Sequence, residues 1–455
     1  MALIIAGEKT GVGKTTITLA LLSWLKNQGK SIQSFKVGPD YIDPMFHTAI
    51  TGLPCRNLDP ILTSEDYVKS SFFHHSQKAD ISIIEGVMGL YDGVPNNNSF
   101  CYGSTAHIAK LLKIPVVLIV DCSKLSTSIA AIVYGYVNLD PEIKIIGIIL
   151  NKVGSEKHLS LLKEGLKRCS ILILGVWFRE KNIELASRHL GLIPTEEINT
   201  NQEIFRELAV LGEKNFNWHL LIPYLENKQS NNSYDASYYQ YHFTDREYIT
   251  KSKIKIAIAK DKAFNFYYQD NLDILEKLGC ELIFFSPMND NKIPDNIQGI
   301  YLGGGFPEVF ADELAKNKTM KKSLKEAINS GIFTYAECGG MMYLSEKIID
   351  FEEQSWEMVG VLPNIAIMDK KLTLGYREGK ILINHKHFNK NIILRGHEFH
   401  RAKNYDISSS PILEIKDYYT QQILSYQGWQ IKNIYASYLH IHFANIFEEL
   451  KLILQ

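Results

Sequence analysis

A glycine-rich loop near the start of the chain constrains the fold more than any other feature. The apolar run Leu3 to Ala6 precedes the stretch Gly7-Glu8-Lys9-Thr10-Gly11-Val12-Gly13-Lys14-Thr15-Thr16, and an amphipathic helical pattern over Ile17 to Leu25 follows it. A strand, a glycine loop and a helix in this order are typical of a P-loop, whose backbone N–H groups point at one anion. The sequence therefore predicts a site for the phosphates of a nucleoside triphosphate.

The loop residues predict which groups would hold ATP. Gly11 and Gly13 allow the backbone to close around phosphate, Lys14 adds a charge, and the Thr15 hydroxyl can hold Mg²⁺. The first glycine stands one position before its strict place, and Lys9 occupies the position of a second lysine in some P-loop ATPases. The alternative is a glycine-rich turn with an exposed lysine. The predicted ATP-binding set is Gly11, Gly13, Lys14, Thr15, Thr16 and Asn151.

Length and composition limit the possible partners. The chain has 455 residues, which predicts two or three domains. A net charge of −1 gives no reason to expect nucleic acid or an anionic membrane surface as a partner. No apolar run approaches the roughly 20 residues of a membrane span, and the first apolar run lacks the basic segment of a signal peptide. Six cysteines without a C-x-x-C pair favour the reducing cytoplasm.

Acidic residues follow two predicted strands at the edge where a parallel sheet binds ligands. The strand Ser31 to Val37 leads into Gly38-Pro39-Asp40-Tyr41-Ile42-Asp43-Pro44, and the strand Ala79 to Ile84 leads into Glu85. An acid after a buried strand, in a chain with a P-loop, is typical of the residue that holds or orients Mg²⁺. We therefore expect Thr15 and Glu85 at the metal, with a loop acid as the alternative for Glu85. For Asp40 and Asp43, taken alone, turn chemistry is the favoured interpretation and a ligand-binding role is the alternative.

Two more apolar strands, at residues 114–121 and 144–151, are separated by helical patterns. Strands that alternate with helices predict a parallel α/β sheet. Asn151 ends the second strand at the ligand edge, where its amide could read a purine base; a helix-entry turn is the alternative.

A polar stretch at residues 226–252 predicts a linker between domains 1–225 and 253–455. After it a second α/β pattern begins, with strands at 254–259, 281–285 and 299–302 and a helix at 271–278. The third of these strands ends in Gly303-Gly304-Gly305, whose N–H groups could face a developing oxyanion.

Cys338 stands at a predicted strand-to-helix turn. It follows the apolar segment Ile332 to Ala336 and Glu337, and it precedes Gly339 and Gly340. This is typical of a nucleophile elbow, in which glycines permit a sharp turn and the following helix lowers the thiol pKa. The alternative is a buried structural cysteine.

A cysteine nucleophile needs a base, and several histidines could supply it. A strand over Ala436 to Phe443 would place His440 and His442 on one face. His397 and His400 are further candidates, and position alone does not choose among them.

Taken together and in order, these motifs resemble the cobyrinic acid a,c-diamide synthase family, which consists of glutamine-dependent amidoligases of corrinoid biosynthesis close to hydrogenobyrinic acid a,c-diamide synthase. The resemblance runs nearly end to end. Its motifs are the P-loop with Gly7, Lys36 to Pro44, Glu85 to Gly93, Arg188 to Leu192, Gly303 to Glu308, Glu337 to Gly340, Gly375 to Glu378, Gly396 to His400 and Ser437 to His440.

The resemblance implies a dethiobiotin-synthetase-like P-loop domain followed by a class I glutamine amidotransferase domain. It implies Cys338 as the glutaminase nucleophile, His440 as its base, and Gly304 and Gly305 as the oxyanion site. The wider class has an acid two residues after the histidine, and here His442 takes that place. The third member of the site is therefore absent or supplied from elsewhere.

The resemblance also implies the reaction, with Thr15, Asp40 and Glu85 around a Mg²⁺ ion. ATP phosphorylates the a and c acetate carboxylates of a cobyrinic acid-type tetrapyrrole, and ammonia from L-glutamine then forms the amides. Tyr41, Ile42 and Asp92 match positions that face the tetrapyrrole in the family. Alternatives are the same chemistry on hydrogenobyrinic acid or nickel-sirohydrochlorin and, more remotely, a ParA- or MinD-like ATPase switch, which has no glutaminase domain. A homodimer is a further expectation.

Overall fold

The computed structural model describes residues 2–96, 99–179, 187–188, 191–192, 194–197, 201–226, 254–383, 390–405, 408 and 410–454. Two compact units make up the structure, one of residues 1–60 and 64–239 and the other of residues 61–63 and 240–455. The predicted linker 226–252 lies outside the described residues except for its first residue, so the predicted domain boundaries stay a prediction.

The first unit is organised around a seven-stranded sheet in the order β3-β2-β4-β1-β7-β8-β9, and every pairing in this sheet is parallel. Its strands are β1 (Ala2–Gly7), β2 (Ile32–Val37), β3 (Arg56–Leu58), β4 (Ile81–Glu85), β7 (Val116–Asp121), β8 (Ile145–Val153) and β9 (Ile173–Phe178). Two short antiparallel ladders lie outside it, formed by β5 (Val94–Asn96) with β6 (Ser99–Tyr102) and by β10 (Ser187–Arg188) with β11 (Gly191–Leu192).

Helices connect these strands, as the alternating apolar pattern predicts. They are α1 (Lys14–Asn27), α2 (Ile42–Thr51), α3 (Glu65–Ser76), α4 (Thr105–Leu112), α5 (Ile129–Asn138), α6 (Glu156–Leu166), α7 (Asn201–Asn215) and α8 (Trp218–Glu226), with a 3-10 turn at Thr195–Glu197. Strands β1, β2 and β4 are neighbours, with Ile5 and Lys36 both paired with Glu85. Their carboxyl ends therefore gather the P-loop, the Asp-rich loop and Glu85 at one edge of the sheet.

The second unit contains a six-stranded sheet in the order β13-β12-β14-β15-β23-β22. Its strands are β12 (Ile254–Ala259), β13 (Cys280–Phe285), β14 (Gly299–Leu302), β15 (Phe333–Glu337), β22 (Trp429–Ile431) and β23 (Ile434–Ser437). All its pairings are parallel except that of β22 with β23. Both units thus have the predicted α/β fold class.

A second, mixed sheet in this unit was not predicted from the sequence. It is formed by β16 (Ser345–Ile349), β17 (Ser355–Glu357), β18 (Leu362–Ile381), β19 (Ile393–Asn404), β20 (Leu413–Asp417), β21 (Ile423–Gln427) and β24 (His440–Ile441). The helices are α9 (Gln269–Lys277), α10 (Ala311–Lys316), α11 (Lys318–Asn329), α12 (Gly339–Leu344) and α13 (Phe447–Ile453), with a 3-10 turn at Phe443–Ile446. Within the described ranges, no helix combines the length and the apolar character needed to cross a membrane.

The prediction of one strand over Ala436 to Phe443 is wrong. The chain leaves the first sheet after Ser437, and His440 pairs instead with His397 in the mixed sheet. His442 caps the following 3-10 turn, where its Nδ1 accepts a hydrogen bond from the Ala444 N–H at 3.3 Å. The change of sheet separates the environments of the two histidines, which the alternating pattern alone placed on one face.

Candidate active site

The P-loop closes tightly around the start of α1. Gly11 and Gly13 have φ values of 77° and 93°, a region that side chains strongly disfavour. A Cβ atom on Gly7 would lie 2.5 Å from Cγ2 of Val12, so the early glycine is needed where it stands. The loop therefore places the N–H groups that begin α1 at the ligand edge of the sheet.

Lys14 reaches back across this loop. Its Nζ donates to the backbone oxygen of Lys9 at 3.1 Å and to that of Met88 at 2.5 Å. Burial, and next the nearby Lys36 ammonium, lowers the pKa of Lys14 to about 8. Phosphate oxygens would offer this ammonium stronger acceptors than two carbonyl groups.

The Thr15 hydroxyl lies against two carboxylates. Its Oγ1 donates to Oε1 of Glu85 at 2.7 Å and lies 3.1 Å from Oδ2 of Asp43. Lys36 Nζ lies 2.5 Å from the same Asp43 oxygen and 2.8 Å from the same Glu85 oxygen. The structure thus brings Thr15 and Glu85 together and adds two residues, Lys36 on β2 and Asp43 in the first turn of α2.

His47 holds the other oxygen of Glu85. Its Nε2 lies 2.7 Å from Glu85 Oε2, and its Nδ1 lies 3.5 Å from Sγ of Cys55. Burial would lower the pKa of His47, but Cys55 and Glu85 raise it to about 10. Burial alone would raise the pKa of Glu85, yet Lys36 and His47 hold it well below its usual range. The sequence analysis did not predict His47 as a site residue. The signal available was its position four residues after Asp43, which places both side chains on the same face of α2.

Asp40 does not contact Thr15. Its Oδ1 accepts hydrogen bonds from the N–H groups of Ile42 and Asp43 at 2.9 and 3.1 Å, and its Oδ2 lies 3.7 Å from Lys36 Nζ. This is the turn chemistry that the residues alone favoured for Asp40, because α2 begins at Ile42 and its first N–H groups need an acceptor. Asp43, rather than Asp40, is the acid beside the Thr15 hydroxyl.

The oxygen ligands at this edge fit Mg²⁺. This ion is usually held by one or two carboxylates together with substrate phosphates, rather than by a complete protein cage. In the parts of the chain that the structure describes, no group of three or more His, Cys, Asp and Glu side chains could hold a metal ion by itself. Thr15, Asp43 and Glu85 therefore suit an ion whose remaining ligands come from a bound nucleotide.

Asn151 packs on the P-loop. Its Nδ2 donates to the backbone oxygen of Val12 at 2.7 Å, and its Oδ1 accepts from the Lys152 N–H at 2.8 Å. A Cβ atom on Gly13 would lie 2.4 Å from this amide nitrogen. The structure thus brings Asn151 to the loop as a support of its backbone, with both amide atoms engaged.

The predicted substrate positions differ in exposure. Tyr41 and Ile42 are buried at the start of α2, whereas Asp92 is exposed and its Oδ2 accepts from the Gly89 N–H at 2.8 Å. A cavity of about 510 Å³ opens beside the P-loop. Its lining includes Glu8, Lys9, Asp121, Ser123, Lys124 and Tyr136.

Cys338 forms a strained turn between β15 and α12. Its φ and ψ are 44° and −102°, and its N–H donates to the Ser437 oxygen at 2.8 Å. A Cβ atom on Gly340 would lie 2.2 Å from the Leu302 oxygen, which explains a glycine there. This is the geometry of the predicted nucleophile elbow.

The expectation of a lowered thiol pKa is wrong for this structure. Burial raises the pKa of Cys338 well above its usual range, and the Glu308 charge adds to this effect. The Gly339 N–H opposes both but does not outweigh them. Cys338 therefore rests as a thiol and needs a base to become a nucleophile.

The glycines after β14 lie beside the elbow. The Gly303 N–H donates to Tyr267 Oη at 2.8 Å and is thereby engaged. Gly305 has a φ of 154°, and its nitrogen lies 3.1 Å from the place a Cβ of Gly339 would take. A Cβ atom on Gly304 would lie 2.5 Å from Cε1 of His440. The predicted oxyanion glycines, the base candidate His440 and the turn after Cys338 are thus neighbours.

The other histidines have different surroundings. His442 Nε2 lies 3.7 Å from Asp270, and its ring packs on Tyr268. His400 Nδ1 lies 2.7 Å from the Ala402 oxygen, and its ring stacks on Tyr438. His397 lies opposite His440 in the ladder of β19 and β24. Of these four histidines, His440 lies nearest to Gly304.

Known families match both units. The CobQ/CobB/MinD/ParA nucleotide binding domain matches residues 3–193, and the CobB/CobQ-like glutamine amidotransferase domain matches residues 255–446. The second match is not expected of a ParA- or MinD-like switch.

Relatives that carry the name cobyrinate a,c-diamide synthase match nearly the whole chain. A protein of Synechococcus sp. is 50% identical over 98% of this chain and 95% of its own length. A protein of Synechocystis sp. is 47% identical over 98% of this chain and 91% of its own length. One of Gloeobacter violaceus is 42% identical over 98% of this chain and 94% of its own length. The predicted family and fold class are confirmed, and with them the assignment to glutamine-dependent amide ligases. The chain belongs to the cobyrinate a,c-diamide synthase family, with a P-loop nucleotide-binding domain followed by a glutamine amidotransferase domain.

Proposed function

We propose that this protein uses ATP and L-glutamine to convert the a and c acetate carboxylates of cobyrinic acid into amides, in corrinoid biosynthesis. The observation that carries the proposal is the presence, in one chain, of a P-loop whose Thr15 donates to Glu85 and of a cysteine elbow next to a glycine loop that lies against His440. The first suits phosphoryl transfer, and the second suits release of ammonia from an amide. The names of the relatives support the choice of substrate.

In the glutaminase half, His440 takes the proton of the Cys338 thiol, and the thiolate attacks the side-chain amide carbon of glutamine. The Gly304 and Gly305 N–H groups stabilise the oxyanion. The C–N bond breaks, the nitrogen takes a proton from His440 and leaves as ammonia, and water then hydrolyses the thioester to glutamate.

In the synthetase half, Gly11, Gly13, Lys14, Thr15 and Thr16 hold ATP, and Asn151 supports the loop. Thr15 and Glu85 would hold Mg²⁺ with Asp43, while Asp40 fixes the turn that carries Asp43. When bound, the ion neutralises charge on the phosphates. A tetrapyrrole carboxylate takes the γ-phosphoryl group, and ammonia replaces the resulting phosphate to give the amide.

Tyr41, Ile42 and Asp92 are proposed to select the tetrapyrrole. Asp92 is exposed, and its contact with the Gly89 N–H fixes the loop that also supplies the Met88 oxygen to Lys14. The cytoplasm is proposed as the location, because all six cysteines are free thiols. A homodimer is a further proposal, and neither nucleic acid nor membrane is expected as a partner.

An assay with alternative acceptors tests the proposal. The purified full chain is incubated with ATP, Mg²⁺ and glutamine, and with cobyrinic acid, hydrogenobyrinic acid or nickel-sirohydrochlorin in separate reactions. Mass spectrometry reads the products, and glutamate release is followed in parallel. We expect a diamide from cobyrinic acid. If only hydrogenobyrinic acid or only nickel-sirohydrochlorin is amidated, that tetrapyrrole is the substrate instead of cobyrinic acid. If no glutamine is hydrolysed at all, the proposal is overturned.

A further inference from the structure

The residue before the nucleophile has a carboxylate that faces the proposed base. Glu337 ends β15 and is only 1% exposed. Its Oε2 lies 3.6 Å from Nδ1 of His440, which is an ion-pair distance rather than a hydrogen bond. The Cε1–Nε2 edge of the same ring lies toward Gly304. The two nitrogens of His440 therefore have different neighbours, an acid on one side and the oxyanion glycines on the other.

The protein holds Glu337 in this orientation. Its Oε1 accepts from Tyr335 Oη at 2.7 Å and from the Ile441 N–H at 3.1 Å, and its Oε2 accepts from Tyr301 Oη at 3.3 Å. Burial is the main cause, and the Glu337 charge the next, that raises the pKa values of Tyr301 and Tyr335 well above their usual range. Both hydroxyls therefore remain O–H donors. Three donors compensate a buried charge and keep it beside the histidine.

We propose that Glu337 is the third member of the glutaminase site, a positioning residue that holds His440 with its proton on Nδ1. With Nδ1 protonated, Nε2 is the acceptor that can take the Cys338 proton. The Glu337 carboxylate also stabilises the imidazolium that forms when Nε2 takes this proton. Contacts within a catalytic site, such as the 3.6 Å separation of Glu337 and His440, shorten when the reacting complex assembles. No oxidant or further group is needed, since one proton moves from sulfur to nitrogen and later to the departing ammonia.

The other groups around His440 do not perform this task. His397 faces it across the ladder, and burial followed by the proximity of His440 lowers the pKa of His397 to about 3, so His397 stays neutral. Glu308 and Glu398 act electrostatically on Cys338, and Glu398 is bound by Arg377 at 2.7 Å. Glu337, by contrast, lies at ion-pair distance from His440.

The hydrogen bonds of Glu337 predict what Glu337→Gln does. The Ile441 N–H requires an acceptor, so the glutamine would place its oxygen on that side and its NH₂ toward His440. An N–H donor beside Nδ1 favours the opposite tautomer, with the proton on Nε2, which can no longer act as a base. The substitution therefore keeps the size of the side chain and the hydrogen bonds from Tyr335 and Ile441, whereas the Tyr301 hydroxyl must rotate to accept from the new NH₂ group. It reverses the property under test, which is the acceptor beside Nδ1.

The inference rests on the proposed glutaminase activity, so the experiment starts from wild-type protein that hydrolyses glutamine. Glu337→Gln is expected to lower kcat for glutamine hydrolysis by about 100-fold or more, with a change in KM below about threefold. The pH profile of kcat/KM should change shape, and alkylation of Cys338 by iodoacetamide, read by peptide mass mapping, should slow. Amidation driven by added ammonia should stay within about twofold of wild type.

Asp270→Asn is the matched control, because Asp270 is an equally buried acid 3.7 Å from the other histidine, His442. It should leave glutamine hydrolysis nearly unchanged. Glu337→Asp, which keeps the charge, should recover part of the kcat lost in Glu337→Gln.

Two results would overturn the inference. One is a Glu337→Gln variant with wild-type kcat and pH profile. The other result applies if Glu337→Gln fails to fold and loses ammonia-driven amidation as well. In that case, a folded Glu337→Asp variant whose kcat and pH profile match wild type would overturn the inference. Absence of glutaminase activity in the wild type would instead refute the proposed function.

Discussion

The backbone of Gly304 lies so close to His440 that any side chain at position 304 would displace the imidazole. A Cβ atom there would lie 2.5 Å from Cε1 and 3.4 Å from Nε2. We therefore predict that Gly304→Ala lowers glutamine hydrolysis at least about tenfold and lowers the free energy of unfolding by about 1–3 kcal/mol, as overpacking does. Glutamate release and urea denaturation provide the two measurements.

Gly299→Ala is the control for that substitution, because it lies on the preceding strand, where the nearest atom to an added Cβ is 3.6 Å away. It should retain most of the glutaminase activity. Equal losses of activity in both variants would show that the strand, and not the contact with His440, determines the effect.

Cys338→Ala should abolish glutamine hydrolysis and glutamine-driven amidation, because no other nucleophile stands at the elbow. Amidation driven by added ammonia should persist, since the P-loop domain contributes that chemistry. The measurement is amide formation by mass spectrometry with each nitrogen source. Cys280→Ala, at a buried cysteine on β13, is the control and should keep both activities. Glutaminase activity in the Cys338→Ala variant would remove Cys338 from the reaction.

Lys14→Ala should reduce ammonia-driven amidation and ATP cleavage by about 100-fold or more, because the transferred phosphoryl group loses its cation. Glutamine hydrolysis should remain measurable. Lys9→Ala is the comparison, since the Lys9 side chain is 63% exposed and pairs only with Glu8 at 3.5 Å among the described contacts. We expect it to stay within about tenfold of wild type. An equally inactive Lys9→Ala variant would indicate that this lysine has the role of the second lysine in ATPase switches.

The stability of the second unit should fall in acid because of Glu398. Burial alone would raise the pKa of this carboxyl, but His400 and Arg377 lower it to about 2 from an ordinary value of 4.5. A carboxylate with a lowered folded-state pKa stabilises the protein above the unfolded value, and this stabilisation disappears as the pH falls toward 2. The loss is about 3 kcal/mol.

Urea denaturation at about pH 5 and at about pH 3 measures this contribution. Glu398→Gln should have a lower free energy of unfolding than wild type at about pH 5. Between about pH 5 and about pH 3 its free energy of unfolding should fall less than that of wild type. Glu313→Gln, at an exposed position on α10, should follow the wild-type curve. Parallel curves for wild type and Glu398→Gln would contradict the prediction.

The elements that the sequence predicted well are those with a strong local pattern. The apolar runs of β1 and β4 and the glycines between Gly7 and Lys14 fix a strand, a turn and a helix without help from distant residues. The mixed sheet was missed because strands such as β18 alternate buried and exposed positions irregularly over twenty residues. Its pairing depends on partners that are distant in the sequence.

The choice between nearby side chains also depended on tertiary structure. Asp40 and Asp43 are equivalent in a turn-rich motif. Because α2 begins at Ile42, Asp40 accepts from the first N–H groups of the helix and Asp43 lies beside Thr15. His440 and His442 alternate like strand residues, but the chain changes sheets between Ser437 and His440. The nearness of Glu337 to His440 follows from that same change and had no local signal.

The hydrogen bond from Cys338 to Ser437 joins the proposed nucleophile to a strand that is translated much later. β15 carries the elbow, but β23 fixes its position, and His440 follows β23. A nascent chain that has emerged from the ribosome only as far as α12 therefore has the thiol without its base. Under the proposed mechanism such a chain cannot hydrolyse glutamine, and ammonia release begins only after synthesis has passed the residues that complete the site.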